Sequence, residues 1–342
     1  MISSLLKKSI TICVQFALII LIATALLEAV VAISLSHPNI GILPLHLVRY
    51  IYNRFDRNVI QVMPECAQYD PYVTYTLKPG KCVFQNREFS NTYHINSLGL
   101  RDDEQSLVGP KIIALGDSFT MGWGVEQEET FVQQLEKLTG LKIINAGISS
   151  YGTVREFRIL ERLDTSAANY LIVQYTSNDV SENETLSTKG ELTVLNEEKY
   201  LNTVKFHSNE LTYIPGKFSF NILVQLQSEL RKIYSKSTNN NQDKVPIEKE
   251  VQYFLDVLDS SKIDIAKLKI IILDISPYNR NNSEFEDELQ RQISNNKNKK
   301  WSKIVIVRLE HVLKNNMYYT LDDHLNAFGH KAIAIELSHH IN

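Results

Sequence analysis

The sequence predicts an α/β domain built on a parallel sheet, preceded by a single membrane-spanning helix. Three observations predict it. A run of roughly 25 apolar residues occupies positions 10–34, enough to cross a bilayer core with some tilt. From residue 111 onward, short apolar segments alternate with amphipathic ones, as in successive βαβ units. Several of those apolar segments end in small-residue turns, where an open α/β sheet holds its ligands.

The apolar run, ITICVQFALIILIATALLEAVVAIS, follows Lys7 and Lys8. The positive-inside rule then leaves the N-terminus in the cytoplasm and exports the remainder to the periplasm or the exterior. A cleaved signal peptide is the competing reading, with Ala32-Ile33-Ser34 as a small-x-small site. The run is longer than a signal h-region, so residues 1–35 are read as a cytoplasmic tip and an uncleaved anchor. Glu28 then has to sit at the interface or face a partner helix.

Residues 36–104 are expected to form a juxtamembrane linker and a small region of strands and turns. The stretch 45–62 mixes aromatics with Arg49, Arg54 and Arg57, and suits either a helix lying on the bilayer or one packed on the main domain. Turn signals follow at Asp70-Pro71, Pro79-Gly80 and Ser97-Leu98-Gly99. Cys66 and Cys82 would close a loop of about 15 residues, worth ~3 kcal/mol if oxidised, and an oxidising compartment favours the bond. Cys13 lies in the apolar run as a small apolar residue. The 39 acidic and 36 basic residues nearly cancel, which gives no basis for a nucleic-acid partner. No cysteine or histidine spacing suggests a metal.

The main domain is expected over 105–342. Its strands are read at 112–115, 142–145, 170–175, 268–273 and 304–307. Helices are read at 129–138, 155–163, 247–258, 284–294 and from 327 onward. Residues 183–248 break the alternation and form an insertion. It contains FSFNILVQLQSELRKIY, read either as a lid over the site or as an inert addition, and a polar loop at 235–243.

Four motifs carry the candidate chemistry. Gly116-Asp117-Ser118 puts a serine at a strand tip, where it needs a base and oxyanion donors to act as a nucleophile. The turn containing Gly147 and Gly152 lets a backbone N–H approach a ligand. Asn178, after the YLIVQY strand, offers a carboxamide donor. Asp322-Asp323-His324 supplies a histidine with a carboxylate two residues before it, suited to fixing the ring tautomer. Asp117 is read as holding the serine turn and His330 as structural. Trp123 is read either as lining a pocket or as packing on its neighbours.

In their order along the chain these motifs resemble the SGNH (GDSL-type) hydrolase superfamily, over residues 105–342. The resemblance implies a flavodoxin-like three-layer α/β/α fold and ester chemistry without metal or cofactor. It also implies Ser118, His324 and Asp322 as catalytic residues, and an oxyanion hole formed by the Ser118 and Gly152 N–H groups and the Asn178 side chain. Thr176 stands where the family usually has glycine, and Leu321 where it commonly has the acid. The Asp-x-His spacing is similar to that of membrane-associated members related to polysaccharide O-acetylation enzymes. An acylated glycan or small molecule is therefore the expected substrate, with water or a sugar hydroxyl as acceptor. A lipase or thioesterase and a non-catalytic glycan-binding domain are the alternatives.

Overall fold

Residues 2–36 form one continuous helix, α1 (Ile2–Ser36), in a computed structural model that describes residues 2–235, 245–275, 283–295, 301 and 303–341. Its apolar side chains from Ile10 to Leu26 are almost all exposed. A short helix, α2 (Leu45–Ile51), follows Pro44, which ends the preceding turn and starts the next. The chain then makes two antiparallel pairs, β1 (Ala67–Asp70) with β2 (Thr74–Leu77) and β3 (Gly80–Gln85) with β4 (Ser90–Ile95). In β4 exposed and buried residues alternate strictly, the pattern of a strand with one wet face.

The alternation read from residue 111 follows as β5 (Ile112–Leu115), α3 (Ser118–Met121), α4 (Phe131–Thr139), β6 (Ile143–Asn145), α5 (Thr153–Leu160) and β7 (Tyr170–Tyr175). The inserted stretch is helical: α6 (Val180–Lys189), α7 (Glu197–Leu211) and α8 (Lys217–Ser235). The polar loop expected at 235–243 lies, beyond Ser235, outside the described residues. Then come α9 (Ile247–Asp259), β8 (Lys269–Asp274), α10 (Glu284–Asn295), β9 (Ile304–Val307) and α11 (Ala327–Ser338). The helix expected at 129–138 begins as a 3-10 turn over Gln127–Glu129, and the α-helix starts only after Thr130. There the Thr130 hydroxyl accepts the Gln133 N–H and caps it.

Strands β5 to β9 form one parallel sheet in the order β6-β5-β7-β8-β9. Counted from its first strand this is 2-1-3-4-5, the doubly wound flavodoxin-like order, with the switch point at β5. Both faces are covered, which is why β5 and β7 read as unbroken buried runs. Alternate residues of β5 divide between two cores. Ile113 and Leu115 pack with Val154, Phe157, Val251 and Phe254 of α5 and α9, while Ile112 and Ala114 pack with Phe131, Leu135, Ile333 and Leu337 of α4 and α11.

A third core joins the β3–β4 hairpin to the loop after α3. Phe84, Phe89 and Tyr93 pack with Met121 and Trp123, and Cys66 and Cys82, bonded to each other, belong to the same cluster. The chain forms two compact units. One comprises Met1–Arg57 with Asn209–Asp243, and the other Asn58–Ser208 with Lys244–Asn342. The α8 segment, read from sequence as a possible lid, belongs to the unit of α1, and the sheet with all the site residues belongs to the other.

Candidate active site

Ser118 follows directly from the geometry of β5. The strand ends at Leu115, Gly116 turns the chain, and Asp117 caps α3 by accepting the Phe119 N–H at 2.9 Å. Ser118 is thereby the first helical residue, and its own N–H has no intrahelical acceptor. Gly116 is required by close approach: a Cβ there would lie 2.1 Å from Thr120 Oγ1 and 2.5 Å from Gln174 Oε1. Those two groups hold the turn. Gln174 Oε1, from the neighbouring strand β7, accepts the Asp117 N–H at 3.0 Å and the Thr120 hydroxyl at 3.1 Å. Burial pushes the Asp117 carboxyl up to about 6, so it serves as a cap within the core.

The partner of Ser118 comes from the loop before α11. His324 Nε2 lies 2.7 Å from Ser118 Oγ, and His324 Nδ1 lies 2.6 Å from Asp322 Oδ1. Asp323 Oδ1 is farther from the same ring nitrogen, at 3.3 Å. Asp322 has no exposed surface, and its second oxygen accepts the Trp123 indole N–H at 3.1 Å. Trp123 also stacks on the His324 ring, 4.6 Å between centroids at 14°. Burial alone would lower the His324 pKa, but Asp322 and Asp323 outweigh it and raise the ring to about 9. The imidazole is thus fixed on three sides, by a carboxylate, a ring face and the serine.

The candidate oxyanion donors stand on the same edge of the sheet. Ser118 follows the central strand β5, Gly152 the turn after β6, and Asn178 the end of β7. Among the described residues, the Ser118 and Gly152 N–H groups and the Asn178 carboxamide have no hydrogen-bond partner, which leaves them available to a ligand. Asn178 and Gly152 are linked through their neighbours: the Thr153 hydroxyl donates to Asp179 Oδ2 at 3.0 Å. Thr176, where the resemblance leads one to expect glycine, is extended (φ −142°, ψ 147°), so no glycine is needed. Its hydroxyl accepts the Gln174 amide at 2.7 Å.

Three supports of this site carry no motif in the sequence. Glu88, in the β3–β4 turn, accepts the backbone N–H groups of Thr320, Leu321 and Asp322 at 2.7, 2.8 and 2.9 Å, and so shapes the loop that carries the carboxylate. Arg101 is buried, with its guanidinium 3.5 Å from the centre of the Tyr93 ring and donating to the Met121, Gly122 and Val125 carbonyls behind Ser118. Gln174 is the third; a glutamine within YLIVQY, an otherwise apolar strand, was the one visible sign. His330 is buried on α11, its Nδ1 accepts the Phe131 N–H at 3.2 Å, and burial lowers its pKa to about 3. It is a neutral acceptor at the start of α4. Asp322, Asp323 and His324 also form a cluster of potential metal ligands, but their atoms are engaged with each other and with Trp123.

No family model matches this sequence, and no curated protein does. Solved structures do. One is that of a protein assigned to the lipolytic G-D-S-L family, from Desulfitobacterium hafniense DCB-2 (TM-score 0.40, 13% identity, covering 67% of this chain and 98% of that one). Another is a two-domain esterase active on acetylated mannans (0.37, 13%, 69% and 50%). A third is a carbohydrate esterase family 3 protein from Talaromyces cellulolyticus (0.36, 11%, 68% and 96%). At identities and TM-scores this low, the chemistry of the site has to be read from its own residues.

Proposed function

We propose that this chain is a membrane-anchored serine esterase. The observation that carries the reading is the Ser118–His324–Asp322 relay, with Nε2 2.7 Å from the hydroxyl and Nδ1 2.6 Å from the carboxylate. Ser118 Oγ attacks the ester carbonyl while its proton passes to His324 Nε2. Asp322 holds the ring in the required tautomer and stabilises the imidazolium. The oxyanion that forms takes hydrogen bonds from the Ser118 and Gly152 N–H groups and from Asn178. As its bond to the acyl carbon breaks, the leaving alkoxide takes the proton from Nε2; water then attacks the acyl-enzyme with the same ring as base, and Nε2 returns that proton to Ser118 Oγ as the acid is released. A sugar hydroxyl in place of water would make the protein an acyltransferase.

O-acetylated carbohydrate is the substrate class we favour, on the resemblance to polysaccharide O-acetylation enzymes. The helix α1 serves as anchor, with Lys7 and Lys8 in its first turns cytoplasmic and the site exported. The reading is tested by hydrolysis of small acetyl esters and of acetylated oligosaccharides by the full chain in detergent. Turnover lost in Ser118→Ala supports it, and turnover unchanged in that variant refutes the assignment.

A further inference from the structure

The anchor helix contains one carboxylate, Glu28, and it is almost fully buried at 9% exposure. It accepts the Ser219 backbone N–H at 2.7 Å, the Ser219 hydroxyl at 2.9 Å and the Tyr213 hydroxyl at 3.1 Å. These bonds fasten the start of α8 and the turn before it to α1. A hydrocarbon core of ~30 Å takes about 20 helical residues, which counted from Ile10 end at Ala29. With Val31, Ser34 and Leu35 buried in the protein and the apolar side chains before Glu28 exposed, that register puts Glu28 at the far boundary of the bilayer. The turn lies one step nearer the centre: a Cβ on Gly216 would be 3.9 Å from Thr24 Cγ2. An apolar cavity of about 730 Å³, lined by Ile20, Leu21, Thr24, Tyr213, Pro215 and Gly216 among others, runs between turn and helix.

From this point α8 presents a stripe of exposed apolar side chains. Phe220, Leu223, Val224, Leu226 and Leu230 share an arc of about 160° at the helical period, and Phe220 is 67% exposed. The single charge at the start of the helix, Lys217, is buried, with its ammonium on the Leu211 carbonyl at 3.1 Å. Tyr213 at the boundary suits the amphipathic belt where aromatic rings meet headgroups.

We infer that residues 213–230 are a second membrane contact: an interfacial helix whose apolar stripe enters the leaflet that ends at Glu28, with lipid acyl chains filling the cavity against α1. Lipid is the occupant because the stripe begins where the turn at Tyr213 to Gly216 lies against Ile20, Leu21 and Thr24 of α1, whose own apolar side chains are exposed, and a bilayer around α1 meets the start of α8. The inference rests on α1 spanning the membrane, and the experiment separates the two. The full chain carrying Ile19→Trp or Leu223→Trp is reconstituted in phosphatidylcholine vesicles with brominated acyl chains, and the emission of the native Trp123 and Trp301 is subtracted. Quenching of both reporters to a similar extent is expected. Quenching of Ile19→Trp alone overturns the interfacial helix and leaves the anchor; quenching of neither overturns both. A Leu223→Trp reporter that is unquenched while the chain cross-links to a second copy identifies the stripe as a self-association face and likewise overturns the inference.

Discussion

The Trp123 indole N–H donates to Asp322 Oδ2 at 3.1 Å, leaving the other carboxylate oxygen for His324. Stacking of the same ring on the imidazole adds a second restraint. Trp123 is thus a positioning residue for both members of the pair. Trp123→Phe keeps a ring and removes the donor to a charged group, an interaction worth about 1.5–3 kcal/mol. We expect kcat for an acetyl ester to fall about 10-fold to 100-fold with KM little changed. A variant with unaltered kcat and a shifted KM would assign the ring to substrate binding instead.

The pH profile follows from His324. Its ring is raised from 6.5 to about 9, so in the free protein it gains base character only as pH approaches that value. We expect kcat/KM to rise across the neutral range, reach half its plateau near pH 9 and level off above it, and Asp322→Asn to move the midpoint down while lowering kcat. A base whose folded pKa lies above its unfolded value stabilises fully below 6.5 and loses that contribution as pH rises through about 9. Comparison with His324→Gln in urea melts across this window isolates the contribution.

Glu88 gathers three backbone N–H groups in front of Asp322. Burial raises its carboxyl pKa, and those three bonds offset only part of the rise. Glu88→Ala removes the carboxylate that these three N–H groups share at a partly buried site, costing about 2–3 kcal/mol of stability. It also frees the loop that carries Asp322 and His324. We expect a lower midpoint of thermal unfolding and reduced kcat, with Glu88→Gln recovering part of both. Loss of stability with full kcat would show that the loop needs no such support.

The sequence made the sheet legible because its strands are buried on both faces, so that IIAL, YLIVQY and LKIIIL stand out from the polar residues around them. Ser118, His324 and Asp322 were legible as short motifs at strand ends and on the last loop. The supports were not. Glu88 and Arg101 act through backbone groups on residues far along the chain, and nothing local distinguishes them from ordinary surface charges. The bond between Glu28 and the start of α8 was not legible for a related reason: the two lie 191 positions apart, and only the fold brings them together.

The most direct measurement is covalent labelling of the intact chain by a fluorophosphonate, followed by peptide mapping. We expect one adduct, on Ser118, absent from Ser118→Ala and slowed in His324→Gln. Labelling elsewhere, or no labelling of a folded chain at pH 9, would contradict it.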